Sequence, residues 1–281
     1  MNPSSPRTRI GVDVGASLVK LAIRREGGPL RFELAPAEAL EDLAREVESL
    51  RPARVALTGG GGSRLARLLA APATAVGEFA AWAAGARALL ADQGRPAEGP
   101  FLLASIGTGT SCVMVDGATV TRVGGTALGG GTLVGLGAVL TGCTRFEEIV
   151  ALAQEGDRRR VDLLVSDVYP EGLAGLPGAA NAASFGRLAR EAGSAARSDP
   201  RDLAGALVGL VGENVALLCN ALAAQAGVRR IVFGGSALRG NAPLAGLLVG
   251  LTTALGREPV LLERGEQAGA LGALLALEAA S

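Results

Sequence analysis

Histidine is absent from this 281-residue chain, which excludes imidazole as a base, a metal ligand or a member of a serine triad. A proton acceptor must therefore be a carboxylate, a lysine, a cysteine or a tyrosine. The cysteines Cys112, Cys143 and Cys219 form no CxxC pair, so neither a disulfide framework nor a zinc site is indicated, and reduced, buried thiols are expected. Net charge is missing too: 27 Lys and Arg balance 27 Asp and Glu, leaving no field to gather nucleic acid or an anionic membrane. No apolar run approaches the ~20 residues of a bilayer crossing. The polar N-terminus "MNPSSPRTR" has no apolar segment ahead of a cleavage site. A soluble, cytoplasmic protein with no nucleic-acid or membrane partner is expected. Aromatics at 3% leave the core to Leu, Val and Ala, and 49% hydrophobic residues predict a folded chain.

What is present repeats itself. "RIGVDVGASLVKLAIRR" reads as two strands around a tight turn at Gly15–Ser17, with "RFELA" continuing the meander. "AEALEDLAREVESL" has helical spacing, "ARVALTGG" is a strand running into glycines, and "SRLARLLA" and "GEFAAWAAGARALLADQG" read as helices. After "RPAEGP" the pattern restarts with "FLLASIGTGTSCVMVDGATVTRVGG", again strand, glycine turn, strand, turn and strand. Helices are predicted over 131–140, 145–154, 187–192 and 201–227, then a strand "RRIVFGGS" and a terminal helix "EQAGALGALLALEAA". The repeat predicts an α/β fold of two similar halves with a cleft between them, residues 1–98 and 99–281. Residues 158–184 are the least regular and read as a lid or a subunit contact.

Four glycine-rich polar turns end apolar strands: "DVGASLVK" (13–20), "IGTGTS" (106–111), "GGTALGGGT" (124–132) and "FGGS" (233–236). Glycine lets backbone amides approach an anion, Ser and Thr add donors, and a helix opening at Gly129–Gly131 would favour phosphate. Neither a Walker A sequence nor a Rossmann fingerprint is present, so phosphates would lie between two hairpins. Asp13, costly in a strand interior, could then hold Mg²⁺ directly or through water. Lys20 is either a phosphate cation or a solvated strand residue.

The pairing of "DVGASLVK" with "GTGTS" resembles the sugar kinase, heat-shock protein and actin superfamily. The run "IGTGTSCVMVDGATVTRVGGTALGGGTLVGLGAVLTGCTRFEEIVALAQEGDRRRVDLLVSDVY" is more specific and resembles type II pantothenate kinases. "LTGG" (57–60), "GEFAAWAAGARALL" (77–90), "NAASFG" (181–186) and "IVFGGSALRGN" (231–241) match in the same order, so the resemblance covers essentially the whole chain. It implies two actin-like, ribonuclease H-like halves around an ATP cleft, with ATP and Mg²⁺ as cofactors and pantothenate as substrate. A homodimer and inhibition by acyl-CoA are implied as well. Carried over, Gly15, Ala16, Ser17, Leu18, Val19, Lys20 and Thr108 contact ATP phosphates, and Thr108 also borders the substrate. Gly130, Gly131, Thr132, Leu133 and Val134 lie at a helix start near the nucleotide, Phe146 stands at a Tyr position of the staphylococcal relative, and Ser236 sits by the adenosine. Glu78 matches the family's proton acceptor and Arg122 its pantothenate-binding arginine. Ala16 and Ser17 stand where relatives often have Gly and Thr.

Read without the family, Glu78 is a first-turn acid favoured by the helix dipole, and Arg122 a strand-end charge. Trp82, three residues after Phe79, reads as core, and "EGDRRR" (155–160) and "RR" (229–230) as solvated ends. Two other functions compete with a pantothenate kinase. One is a sugar or N-acetylhexosamine kinase, although the Cys-rich zinc motif with His of repressor-related sugar kinases is absent. The other is a non-catalytic nucleotide-binding protein, although a first strand by Arg9 leaves no room for a helix-turn-helix ahead of it.

Overall fold

The computed structural model describes residues 7–172, 178–190 and 198–279. The first half contains β1 (Thr8–Val14), β2 (Leu18–Arg25), β3 (Leu30–Pro36), α1 (Leu40–Ser49), β4 (Pro52–Thr58), α2 (Gly62–Ala66), β5 (Ala73–Ala75) and α3 (Glu78–Asp92). β6 (Phe101–Ile106), β7 (Thr110–Asp116), β8 (Thr119–Thr126), α4 (Gly130–Thr141) and α5 (Phe146–Glu155) follow. Small elements come next: β9 (Leu163–Leu164), α6 (Val165–Val168), β10 (Asn181–Ala183) and α7 (Gly186–Arg190). α8 (Pro200–Gln225), β11 (Arg230–Gly234), α9 (Ala242–Ala254), β12 (Glu258–Leu261) and α10 (Ala268–Ala279) complete the chain.

The repeat read from the sequence is a structural duplication. The strand orders are β3-β2-β1-β4-β5 and β12-β11-β6-β7-β8, and in each sheet a three-stranded meander continues into two parallel strands. The glycines that end the central parallel strands correspond as well: Gly59 after β4 and Gly235 after β11 both adopt a positive φ. The layers are α1 with α2, the first sheet, α10 with α3, the second sheet, and a final layer of α4, α5, α8 and α9.

Alternation along β1 explains the burial. Ile10, Val12 and Val14 face the α1 core, while Gly11 and Asp13 turn to α10. α10 has almost no polar face; Ala268 to Leu274 are all buried. It lies so close to its neighbours that only glycine fits at the contacts. A Cβ on Gly272 would stand 1.8 Å from the Ala81 carbonyl oxygen of α3, and one on Gly11 would stand 2.1 Å from that of Ala270.

Some elements differ from the sequence expectation. α2 stops at Ala66, four residues short of the predicted 63–70 helix. α9 and the short strands β5, β9, β10 and β12 lie outside the periodicity reading. Their residues are too few, or too uniformly apolar, to show a period. The signal for α9 was its start, where Asn241 accepts from the Leu244 amide and proline enters the first turn. Part of the predicted 187–192 helix lies outside the described residues. α8 is long and apolar enough to cross a bilayer by length and composition, contrary to the expectation that no run approaches this. It is a core helix instead: 61% of its apolar window is buried, and Leu207, Val211 and Val215 belong to the main core.

The irregular 158–184 stretch is tied to α8. Arg158, expected to be solvated, pairs with Asp162 at 2.7 Å and Glu213 at 2.9 Å. Its guanidinium lies over Gly209. Arg230 likewise pairs with Glu258.

Glycine-to-alanine substitution at two helical positions should have opposite signs. Gly246 on α9 has nothing within 4 Å of a new Cβ, so Gly246→Ala should add about 1 kcal/mol through helix propensity. Gly272→Ala should cost about 2–3 kcal/mol, because overpacking against α3 outweighs the same propensity gain. Urea denaturation of both variants reads the contrast.

Candidate active site

A cavity of about 530 Å³ opens between the halves, lined by both meander turns, the head of α3, and parts of β6, β7, β8 and the Gly234–Ser236 turn. Asp13 is 5% exposed there and faces Lys20 across the β1–β2 ladder. Lys20 Nζ stands 3.4 Å from the Asp13 carboxylate, with both side chains largely buried. Lys20 is therefore a cleft cation, and the solvated alternative falls away. Gly59 and Gly269 leave the room that the carboxylate occupies, since a Cβ on either would come within 2.6 Å of an Asp13 oxygen.

Glu78 begins α3 after Gly77 and lines the same cavity. The helix dipole favours its ionised form, but burial and the Asp13 charge dominate and hold its pKa above the usual 4.5, with Lys20 opposing them. The two meander turns meet directly: Ser17 Oγ and Thr108 Oγ1 are 3.1 Å apart, joining the halves at the place expected for phosphate.

Arg122 reaches the cavity through a local irregularity. β7 and β8 pair in register from Asp116↔Thr119 to Val113↔Arg122, and then Val123 is bulged so that Gly124 faces Cys112. Arg122 thus lies on the face of Val113 and Leu103, which is the cleft side.

Of the residues expected at the site, Asp13, Gly15, Ala16, Ser17, Leu18, Lys20, Glu78, Thr108, Arg122 and Ser236 line the cavity. Val19, Gly130, Gly131, Thr132, Leu133, Val134 and Phe146 do not. Val19 and Leu133 are fully buried, and Val134 and Phe146 pack on the α8 core. The first amides of α4 are already used: Gly130 N–H donates to Gly107 O at 2.7 Å and Gly131 N–H to Thr108 O at 2.9 Å. In this arrangement the α4 N-terminus braces the second turn from behind. Trp82 packs edge-on to Phe79, as core reading expected, but it also lines the cavity. Ser105 and Glu266 are cleft residues that sequence reasoning missed. Ser105 could have been flagged as a lone hydroxyl in the apolar strand "FLLASI". Cys112 and Cys219 are buried thiols 3.7 Å apart, unpaired covalently, and Cys143 is half-buried.

Two duplicated sheets closing on a cleft of glycine turns make this an actin-like fold of two similar halves. Solved structures agree on the fold. Component A of (R)-2-hydroxyglutaryl-CoA dehydratase from Acidaminococcus fermentans superposes with a TM-score of 0.64 at 19% identity, covering 98% of this chain and 100% of that one. A ROK family glucokinase from Streptomyces griseus, solved with glucose and AMPPNP, gives 0.55 at 14% identity, covering 96% and 98%. A family model described as Fumble matches residues 80–275. A type II pantothenate kinase from Staphylococcus aureus is 31% identical over 266 residues, 95% of this chain and 98% of the relative. The chain belongs to the type II pantothenate kinase (Fumble) family.

The raised Glu78 pKa sets the sign of a stability change. Protonated Glu78 suits the fold better than ionised Glu78, so its contribution to stability falls as pH rises from 4.5 through the raised value. Glu78→Gln should therefore melt higher than the parent at neutral pH. The difference should vanish below the ordinary carboxylate range, where Glu78 is protonated in both states. Calorimetry across that range checks it.

Proposed function

We propose that this protein transfers the γ-phosphoryl group of ATP to the primary hydroxyl of pantothenate, forming 4′-phosphopantothenate for coenzyme A synthesis. The observation that carries the reading is the convergence of Glu78, Arg122, Lys20 and both meander turns in one cavity. Phosphoryl transfer asks for positioning and charge stabilisation, and this cleft supplies a donor-rich channel for the triphosphate. The backbone amides of Ala16, Ser17 and Thr108 and the Ser17 and Thr108 hydroxyls would hold its oxygens, with Lys20 as the nearby cation and Ser236 toward the adenosine. The Gly15 and Gly107 amides are taken by Leu18 O and Gly109 O within the turns. Glu78 would accept the proton of the attacking hydroxyl. Its burial makes it a stronger base than an exposed carboxylate.

Arg122 would grip the pantothenate carboxylate with two parallel N–H donors. A neutral sugar would leave that guanidinium unpaired in the cleft, which favours the carboxylate-bearing substrate over a hexose. Among the described residues no three His, Cys, Asp or Glu side chains group as metal ligands. The buried Asp13 carboxylate, with Lys20 as its ion-pair partner, fits a hydrated Mg²⁺ that takes most of its ligands from water and phosphate. The ion's contribution would be to neutralise charge on the triphosphate. The division at residues 98 and 99 is proposed on the duplication. The expected homodimer would cover Leu136 and Val139 of α4 and Leu217 of α8, which are exposed apolar side chains on helices packed together. Inhibition by an acyl-coenzyme A thioester is carried over from the family.

A coupled assay of purified protein with ATP, Mg²⁺ and pantothenate, against a hexosamine control, tests the reading; turnover of the hexosamine alone would overturn it. Glu78→Gln should lower kcat by about 10²–10⁴-fold while leaving ATP affinity nearly intact. Near-normal turnover would remove Glu78 from the mechanism. A parallel arm with acyl-coenzyme A thioesters should show inhibition.

A further inference from the structure

We propose that Gly125 is a positioning residue for Arg122, and that the Val123 bulge serves to place the two on one face of β8. This rests on reading Arg122 as the seat of the substrate carboxylate.

Residues three apart fall on opposite faces of a regular strand. Arg122 and Gly125 nevertheless both line the cavity, opposite Val113 and Ser111. Only the extra residue at Val123 allows this. The guanidinium then folds back over Gly125, where a Cβ would stand 2.8 Å from Arg122 Nη2 and 2.6 Å from the Thr110 carbonyl oxygen. The other glycine of the pair faces away, for a Cβ on Gly124 would meet Leu222 of α8 at 2.8 Å. Among the described residues no carboxylate pairs with Arg122. Nη2 at the end of its planar guanidinium therefore rests against the bare backbone of Gly125, in the wall of the cavity. A methyl group at residue 125 would lift that plane and misdirect both donors. Planar two-point recognition tolerates such a tilt poorly.

The test compares kcat/KM for pantothenate and for its neutral analogue, in which a hydroxymethyl group replaces the carboxylate. The ratio is independent of the fraction of protein folded. The parent should prefer the carboxylate by about 10–100-fold, the range of a charged hydrogen-bonded pair. Gly125→Ala should reduce the ratio toward one, with KM for ATP changed by less than about twofold, whereas Gly124→Ala should keep the parental ratio. A parental ratio in Gly125→Ala overturns the proposal. A parental ratio in Arg122→Ala overturns the underlying reading of Arg122 instead. Should Gly125→Ala give no soluble protein, added guanidinium ion with Arg122→Ala decides the matter. Restored preference for the carboxylate supports a preformed seat over Gly125, and no restoration refutes it.

Discussion

Backbone-to-backbone contact of α10 with α3 and β1 is the constraint on which the rest of this structure depends. Gly272 meets Ala81, Gly85 meets Ala268, and Gly11 meets Ala270, each too closely for any side chain. Such contacts have no rotamers to adjust, so the separation of the elements is set by main-chain shape. β1 carries Asp13 and α3 carries Glu78, and the last helix of the chain lies between them. The geometry of the two carboxylates is thus fixed by residues that perform no chemistry. A site built on rigid elements holds its groups more tightly than one built on loops.

That rigidity confines charges which would otherwise relax apart. Asp13 raises the pKa of Glu78 and Lys20 lowers it, so this carboxyl is tuned by a buried pair beside it. Glu78 at a helix start should by its position be a strong acid. Burial and one neighbouring carboxylate outweigh the dipole, which is how a carboxylate can act as base in a chain with no histidine.

Much of this was legible in the sequence because it is local. Meander turns at Gly15–Ser17 and Gly107–Gly109 announce themselves by glycine and hydroxyls after apolar strands, and the repeated pattern revealed two halves. Asp13 was conspicuous as a charge within a strand. What escaped depends on contacts far apart in the chain. The family resemblance pointed to Arg122, but the one-residue bulge that turns it to the cleft is displayed by no periodicity. Gly130 and Gly131 read as a phosphate-binding helix start, yet their amides are taken by Gly107 and Thr108, more than twenty residues earlier. Arg158 read as solvated, and its partner Glu213 stands on a different helix. The similarly glycine-rich α9 shows its cap and hides its period.

The duplication also explains why the two halves do different work. β3 and β8 hold the same place in their sheets, at the outer edge of the meander. β3 pairs with β2 without interruption from Leu18↔Pro36 to Arg24↔Leu30, whereas β8 carries one extra residue against β7. Every side chain beyond a bulge changes face relative to a regular strand. That single offset brings both Arg122 and the bare Gly125 to the cleft in the second half. The first half keeps its regular edge and contributes the Asp13–Lys20 pair. The glycine turns are common to both halves, and the cleft-facing arginine arises where their symmetry breaks.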